Sequence, residues 1–334
     1  MDKMRNILFT LLSAALFAAC TQDELTDRRG EPLPEGQYPL ELTASLFGAE
    51  AMPAGISTRA TVTGIWDTGD KIYMQVASKD EYEEGLVNWT SIDILCYTVD
   101  SDGKSLTFDS GNSDGTQPYW TSTGDQKFIR AWYRGDGSSA LPGDYSVQTN
   151  QSSGDNYEKS DFLYAHATIG FRDEKTLTFY HQLAKVVVNI RDKNISSEIA
   201  KVDARTYNKG TFTTPNTSSN YGSWNYNNKR VGVEMKRLST PNSVVFEAEK
   251  EAEPAKASYE AILIPYTINK NIGIFNIVTS DNVQFEYVLN SDITWQPGHI
   301  YTYNLTLDNN GVIGISLVGV GNWTSGGSHD LTTE

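Results

Sequence analysis

The chain is poor in the residues from which covalent staples and catalytic centres are built. It has 334 residues but only two cysteines and four histidines. Cys20 ends an apolar N-terminal run, which leaves Cys96 alone inside the strand-like stretch Ile92-Asp93-Ile94-Leu95-Cys96-Tyr97. A thiol in that setting is read as a small buried hydrophobe. Two such cysteines support neither a disulfide framework nor a cysteine-based metal site. None of His166, His181, His299 and His329 has a partner at i+3 or i+4, and no H-E-x-x-H spacing occurs. His181 lies within a strand run and His299 beside Pro297-Gly298 at a turn, so both are read as structural. The G-x-S-x-G elbow, the P-loop and a strand–GxGxxG–helix arrangement are all missing. Asp100-Ser101-Asp102-Gly103 begins like a calcium loop but lacks the later glutamate and reads as a hairpin turn. Scattered carboxylates are open to pairing in space as in a glycosidase, and nothing in the sequence favours it. The expectation is no enzyme, with no catalytic, cofactor-binding or metal-binding residue.

Positive charge is also scarce. Lysine and arginine number 27 against 42 aspartates and glutamates, a formal net charge of −15. A surface this acidic repels nucleic acid and anionic headgroups, so nucleic acid is excluded as a partner. Long apolar runs are missing too, apart from the first twenty residues. There Lys3 and Arg5 precede an apolar run from Ile7 to Phe17, and Leu16-Phe17-Ala18-Ala19-Cys20 follows. The pattern is that of an export signal too short to span a bilayer as a stable anchor. The cysteine at the cut makes it a lipobox, with Cys20 as the lipidated first residue of the mature chain. Removing residues 1–19, with Asp2, Lys3 and Arg5, leaves 315 residues at a net charge of −16. That length suffices for two domains. Residues 20–37 are polar, carry Pro32 and Pro34, and read as a flexible tether.

From Tyr38 onward the signal is period two. Leu40, Leu42, Ala44 and Leu46 alternate with Glu41, Thr43 and Ser45, giving one apolar and one polar face. Ile72–Val76, Lys127–Tyr133, the long run Leu177–Ile190, Tyr259–Ile264, Gly273–Val278, Val283–Leu289, Ile300–Leu307 and Val312–Val320 read as further strands. Asp102-Gly103 joins two more in a hairpin. No segment carries a long helical period. Short strands separated by Gly, Asn and Asp predict an all-β protein of sandwiches, with domains at 38–178 and 179–334. Within 216–228, Tyr221, Trp224 and Tyr226 are interleaved with Asn, Ser and Gly. Two readings stay open: a ligand loop for sugars or proteins, or a polar hairpin whose aromatics lie back on the sheet.

Several ordered pieces resemble the fimbrillin superfamily, the subunits of Bacteroidota type V pili. After the lipobox and first strand come Thr58-Arg59-Ala60 and Ile65-Trp66-Asp67-Thr68-Gly69-Asp70-Lys71-Ile72. Asp161-Phe162-Leu163-Tyr164, Phe179-Tyr180-His181-Gln182-Leu183-Ala184-Lys185-Val186 and Leu263-Ile264-Pro265 follow. Trp295-Gln296-Pro297-Gly298-His299-Ile300-Tyr301 and Val320-Gly321-Asn322-Trp323 close the set. The resemblance implies two tandem transthyretin-like β-sandwich domains. It implies a lipoprotein anchored in the outer membrane at the cell surface, cut by a trypsin-like or arginine-specific protease, and incorporated into a fimbrium by donor-strand exchange. Its partners would be other pilin subunits, the lipid anchor, the processing protease and a host or bacterial surface ligand.

The residues supply a physical version of each step. Arg59 and Ala60 lie among small residues that a protease can bind in extended form. Cutting there frees the stripe Leu40, Leu42, Ala44 and Leu46, and the vacated groove is a template for another strand. Three or four such aliphatics contribute roughly 5–12 kcal/mol before ordering costs. Ile313, Ile315 and Leu317 repeat the stripe and are the candidate donor strand; the same residues also fit the last strand of their own domain. The alternative function is a surface lipoprotein that binds glycan or protein without polymerising, including a tip or accessory subunit.

Overall fold

The computed structural model describes residues 38–47, 61, 64–226, 229–246, 251–309 and 311–323. Period-two patterning becomes two groups of strands in series. The first holds β1 (Leu42–Leu46), β2 (Lys71–Ser78), β3 (Leu95–Val99), β4 (Ser105–Phe108), β5 (Gln126–Arg134), β6 (Phe162–Gly170) and β7 (Thr176–His181). Their ladders run β7-β1-β4-β3-β2-β5-β6 and close through β6–β7 into a barrel. The two faces expected of a sandwich are therefore joined at both edges. Inside lie Leu42, Ile72, Leu95, Leu106, Ile129, Leu163, Leu177 and Phe179, one continuous apolar cluster. The Asp102 turn joins β3 to β4: its carboxylate accepts from the backbone N–H of Lys104 and Ser105, and Gly103 supplies the positive φ of 68°.

The second group holds β8 (Ala184–Asp192), β9 (Ile199–Thr206), β10 (Val231–Glu234), β11 (Lys236–Arg237), β12 (Ala257–Leu263), β13 (Gly273–Thr279), β14 (Gln284–Val288), β15 (His299–Asp308) and β16 (Gly311–Asn322). They form a five-stranded sheet, β11-β12-β8-β15-β16, and a four-stranded sheet, β10-β9-β13-β14. Val186, Val188, Tyr259 and Leu305 of one sheet and Val202, Ala204, Phe275 and Ile277 of the other fall in a single buried cluster. That is the sandwich arrangement, with the inward faces sharing one core.

The β-rich run Leu177–Ile190 is divided between two strands, β7 and β8. It breaks at Gln182-Leu183, between β7 and β8. Residue 178 lies inside β7, whose Phe179 packs in the barrel, so the chain leaves the barrel after His181. Packing crosses this point. Asp144–Ser146 pairs with Lys209–Thr213, and Tyr145, Val147 and Tyr157 join the second core. The one α-helix among the described residues, Lys79–Glu83, is set by a capping box between Ser78 and Glu81, a signal without any long periodicity.

Candidate functional site

β1 is the element on which the functional reading turns. It is the single strand between β4 and β7. It runs antiparallel to β4 (Leu42 opposite Leu106) and parallel to β7 (Thr43 opposite Thr176, Leu46 opposite Phe179). Its inward residues Leu42, Ala44 and Leu46, and Leu40 just before it, are 0–5% exposed. Its outward residues meet solvent or β7. Thr43 Oγ1 lies 2.8 Å from Thr176 Oγ1, and Phe47 stacks on Tyr180 at 4.8 Å. Backbone N–H groups of Thr43 and Phe47 donate to Lys175 and Phe179, and that of Ala44 to Lys104, each at 2.9 Å. Withdrawing β1 would leave those carbonyls and a leucine-lined slot uncovered on both sides.

Residues around this strand serve its packing. In Ile65-Trp66-Asp67-Thr68-Gly69-Asp70, the Asp67 N–H donates to Asp70 Oδ2 at 2.9 Å, and Gly69 takes φ 90°. The turn sets Trp66 edge-on to Phe179 at 5.1 Å and to Tyr133 at 5.4 Å. Burial raises the Asp70 carboxyl from 3.8 to about 6, opposed by hydrogen bonds from Asp67 N–H and Tyr133. Burial also pushes the Cys96 thiol up to about 11. Cys20, Arg59, Ala60 and His329 lie outside the described residues. Thr61, two positions beyond Arg59, is 1% exposed and donates to Asp161 Oδ2 at 2.6 Å. Asp161 Oδ1 faces His181 Nδ1 at 2.9 Å. Asp161 and His181 each fall in a piece that resembles the family, but nothing in the sequence joined them to Thr61, which lies 100 positions from Asp161.

Ile313, Ile315 and Leu317 lie on β16, which pairs with β15 as the sheet edge, and Leu317 is 45% exposed. Tyr221, Trp224 and Tyr226 each make different contacts. Trp224 donates its indole N–H to the Gln182 carbonyl at 2.7 Å and packs on the second core. Tyr226 stacks on Tyr207 at 4.3 Å. Tyr221 meets Tyr180 edge-on at 5.7 Å and lies close over Gly298, where a Cβ would fall 2.3 Å from its Cε1. Of the histidines, His166 Nε2 is 2.9 Å from the Ser219 carbonyl and His299 Nδ1 is 2.8 Å from that of Pro297. Among the described residues, no group of three or more His, Cys, Asp or Glu is placed to hold a metal ion. No helix among them is long and apolar enough to cross a membrane.

A sequence model described as fimbrillin-like matches residues 58–323, most of the chain. The chain belongs to the fimbrillin-like family. Fimbrillin-like proteins are structural subunits of pilus-like adhesive assemblies, not enzymes, and this chain takes that coarse assignment from the family. Two of the solved structures that share the fold are similar to this chain over most of its length. One is a candidate cell adhesion protein from Bacteroides ovatus, at 19% identity and TM-score 0.57, covering 86% of this chain and 98% of that one. The other is a candidate cell adhesion protein from Bacteroides uniformis, at 15% identity and TM-score 0.54, with the same coverage. A comparison with curated proteins found no match.

Proposed function

We propose that this fimbrillin-like chain is a type V pilus subunit that is exported as a lipoprotein on Cys20, cut after Arg59 and polymerised by strand exchange. The observation that carries the reading is the position of β1: a buried stripe in the strand that, among the described residues, joins β4 to β7, lying upstream of Arg59. Cutting there leaves β1 held by packing and hydrogen bonds alone. A neighbour's strand running parallel to β7 and antiparallel to β4 restores both ladders and refills the slot. Ile313, Ile315 and Leu317 are the candidate stripe for that role. Release of such a strand requires opening a sheet, so the polymer dissociates slowly. The site of action is the cell surface, with the lipid anchor lost on processing.

The docking of β16 on β15 favours a second reading in which this chain accepts a strand without donating one, as a tip or accessory subunit. Low-dose trypsin on the purified precursor separates the two. The subunit reading expects a stable fragment beginning at Ala60, followed by ladders on unheated gels. Trimming without ladders moves the chain to the accessory role. No fragment beginning at Ala60 overturns processing at Arg59.

A further inference from the structure

We propose that Trp323 is a latch that stores β16 in its home sheet, and that Thr61 holds the latch shut through Asp161 and His181. The inference rests on the proposed role of β16 as a donor strand and adds how its release is controlled.

β16 is the edge strand of its sheet. It has a ladder partner on one side only, and that ladder slips twice. Thr302 pairs with Gly319 but Tyr303 with Leu317, and Thr306 pairs with Gly314 but Leu307 with Val312. Val318 and Ile313 are thus extra residues, and each bulge interrupts pairing and bends the strand. Leu317 is left 45% exposed. Between the two slips, pairing from Gly314 to Leu317 is regular.

The end of the strand is held differently. Trp323 is 3% exposed, and its backbone N–H donates to the Gly298 carbonyl at 2.7 Å. Its ring lies flat on the His181 imidazole at 3.8 Å, with 2° between the planes. The Lys185 ammonium sits 5.9 Å from the ring centre. The imidazole is fixed in turn by Asp161 Oδ1 at 2.9 Å, and the same oxygen accepts from the Phe162 N–H. Asp161 Oδ2 takes the Thr61 hydroxyl at 2.6 Å. The carboxylate is fully buried, so losing the hydroxyl leaves one oxygen without its partner and loosens the other's hold on His181. Thr61 becomes the second residue of a chain cut after Arg59. The cut removes the covalent restraint on its N-terminal side. One proteolytic event then both vacates the barrel slot and loosens the strand that is to fill the next one.

Hydrogen exchange followed by mass spectrometry on the full, uncleaved chain tests this. Trp323→Leu keeps apolar bulk without the flat ring, and amides of 311–322 are expected to exchange at least ~10-fold faster while 184–192 and 257–263 are unchanged. Trp323→Phe, which keeps a ring, stays near wild type. Thr61→Val speeds the same amides by about 3-fold or more, and adds less than its separate effect when combined with Trp323→Leu. Exchange in Trp323→Leu within about 2-fold of wild type, or an unprotected β16 in wild type, overturns the latch. An unchanged rate in Thr61→Val overturns the link to the processing side. No polymer is needed for the readout. Missing ladders with the exchange pattern intact therefore count against the polymer reading alone.

Discussion

Replacing Leu42 by Ala tests whether β1 is held by its buried stripe or by its hydrogen bonds. Leu42 is 1% exposed in the barrel core and faces Leu106 across the ladder. Deleting its three outer carbons removes transfer energy and leaves a cavity in a closed barrel, about 2–5 kcal/mol in all. Thr43→Ala on the outer face removes one hydroxyl contact to Thr176, worth about 0.5–1.5 kcal/mol. Each 1.4 kcal/mol is tenfold in an equilibrium, so Leu42→Ala weakens retention of the cut strand by roughly 30-fold to several thousand-fold. Thr43→Ala weakens it by no more than about 10-fold. The assay follows the released segment by native mass spectrometry after low-dose trypsin, with denaturant unfolding of the uncut chain as a parallel measure. Equal effects of the two substitutions would refute a hold based on apolar burial. So would retention of the segment by Leu42→Ala as firmly as by wild type.

Asp70 gives a pH signature. Its folded value of about 6 lies above the unfolded 3.8, so the folded state holds the proton more tightly. The associated stability is fully present below about pH 4 and is lost as pH rises through about 6, an effect of roughly 3 kcal/mol at most. Asp70→Asn is expected to flatten that part of the denaturation profile; parallel profiles for the two proteins would remove Asp70 from the account. With Cys20 replaced by Ser, Cys96 is expected to resist a thiol reagent at about pH 8 until denaturant is added; prompt labelling of the native protein would contradict its burial. Gly222→Ala puts a Cβ 2.3 Å from Phe212 Cε2 and 2.4 Å from the Thr213 carbonyl, with no room to give. A loss of about 1–3 kcal/mol in thermal unfolding is expected, and an unchanged melting temperature would show that the hairpin moves freely.

Much of this was legible along the chain. Alternation at 40–46 fixed a strand with one buried face, and the structure buries the four residues that alternation selects. Asp102-Gly103 marked its turn because the turn's hydrogen bonds are local. The break at Gln182-Leu183 was not placed, since Leu177–Ile190 is β-rich on both sides of it and the domain boundary was expected at 178/179. β9 was not foreseen either: Lys201, Asp203 and Arg205 alternate with Val202 and Ala204, but an apolar face of two small residues is too short to stand out. The aromatic loop illustrates the limit best. Tyr221, Trp224 and Tyr226 look alike in the sequence, yet one sits over Gly298, one donates to Gln182 and one stacks on Tyr207.

The sequence by itself determined the class of protein: acidic and all-β, without the histidine, cysteine or loop motifs of an enzyme. Those properties depend on composition and on contacts between near neighbours in the chain. Only the tertiary structure decided that β1 bridges β4 and β7, that the ladder of β16 slips twice, and that Thr61, Asp161, His181 and Trp323 meet. Strand partners and buried polar contacts join residues up to 133 positions apart, as in the Thr43–Thr176 pair. Period-two alternation says which face is buried and is silent on which strand lies alongside.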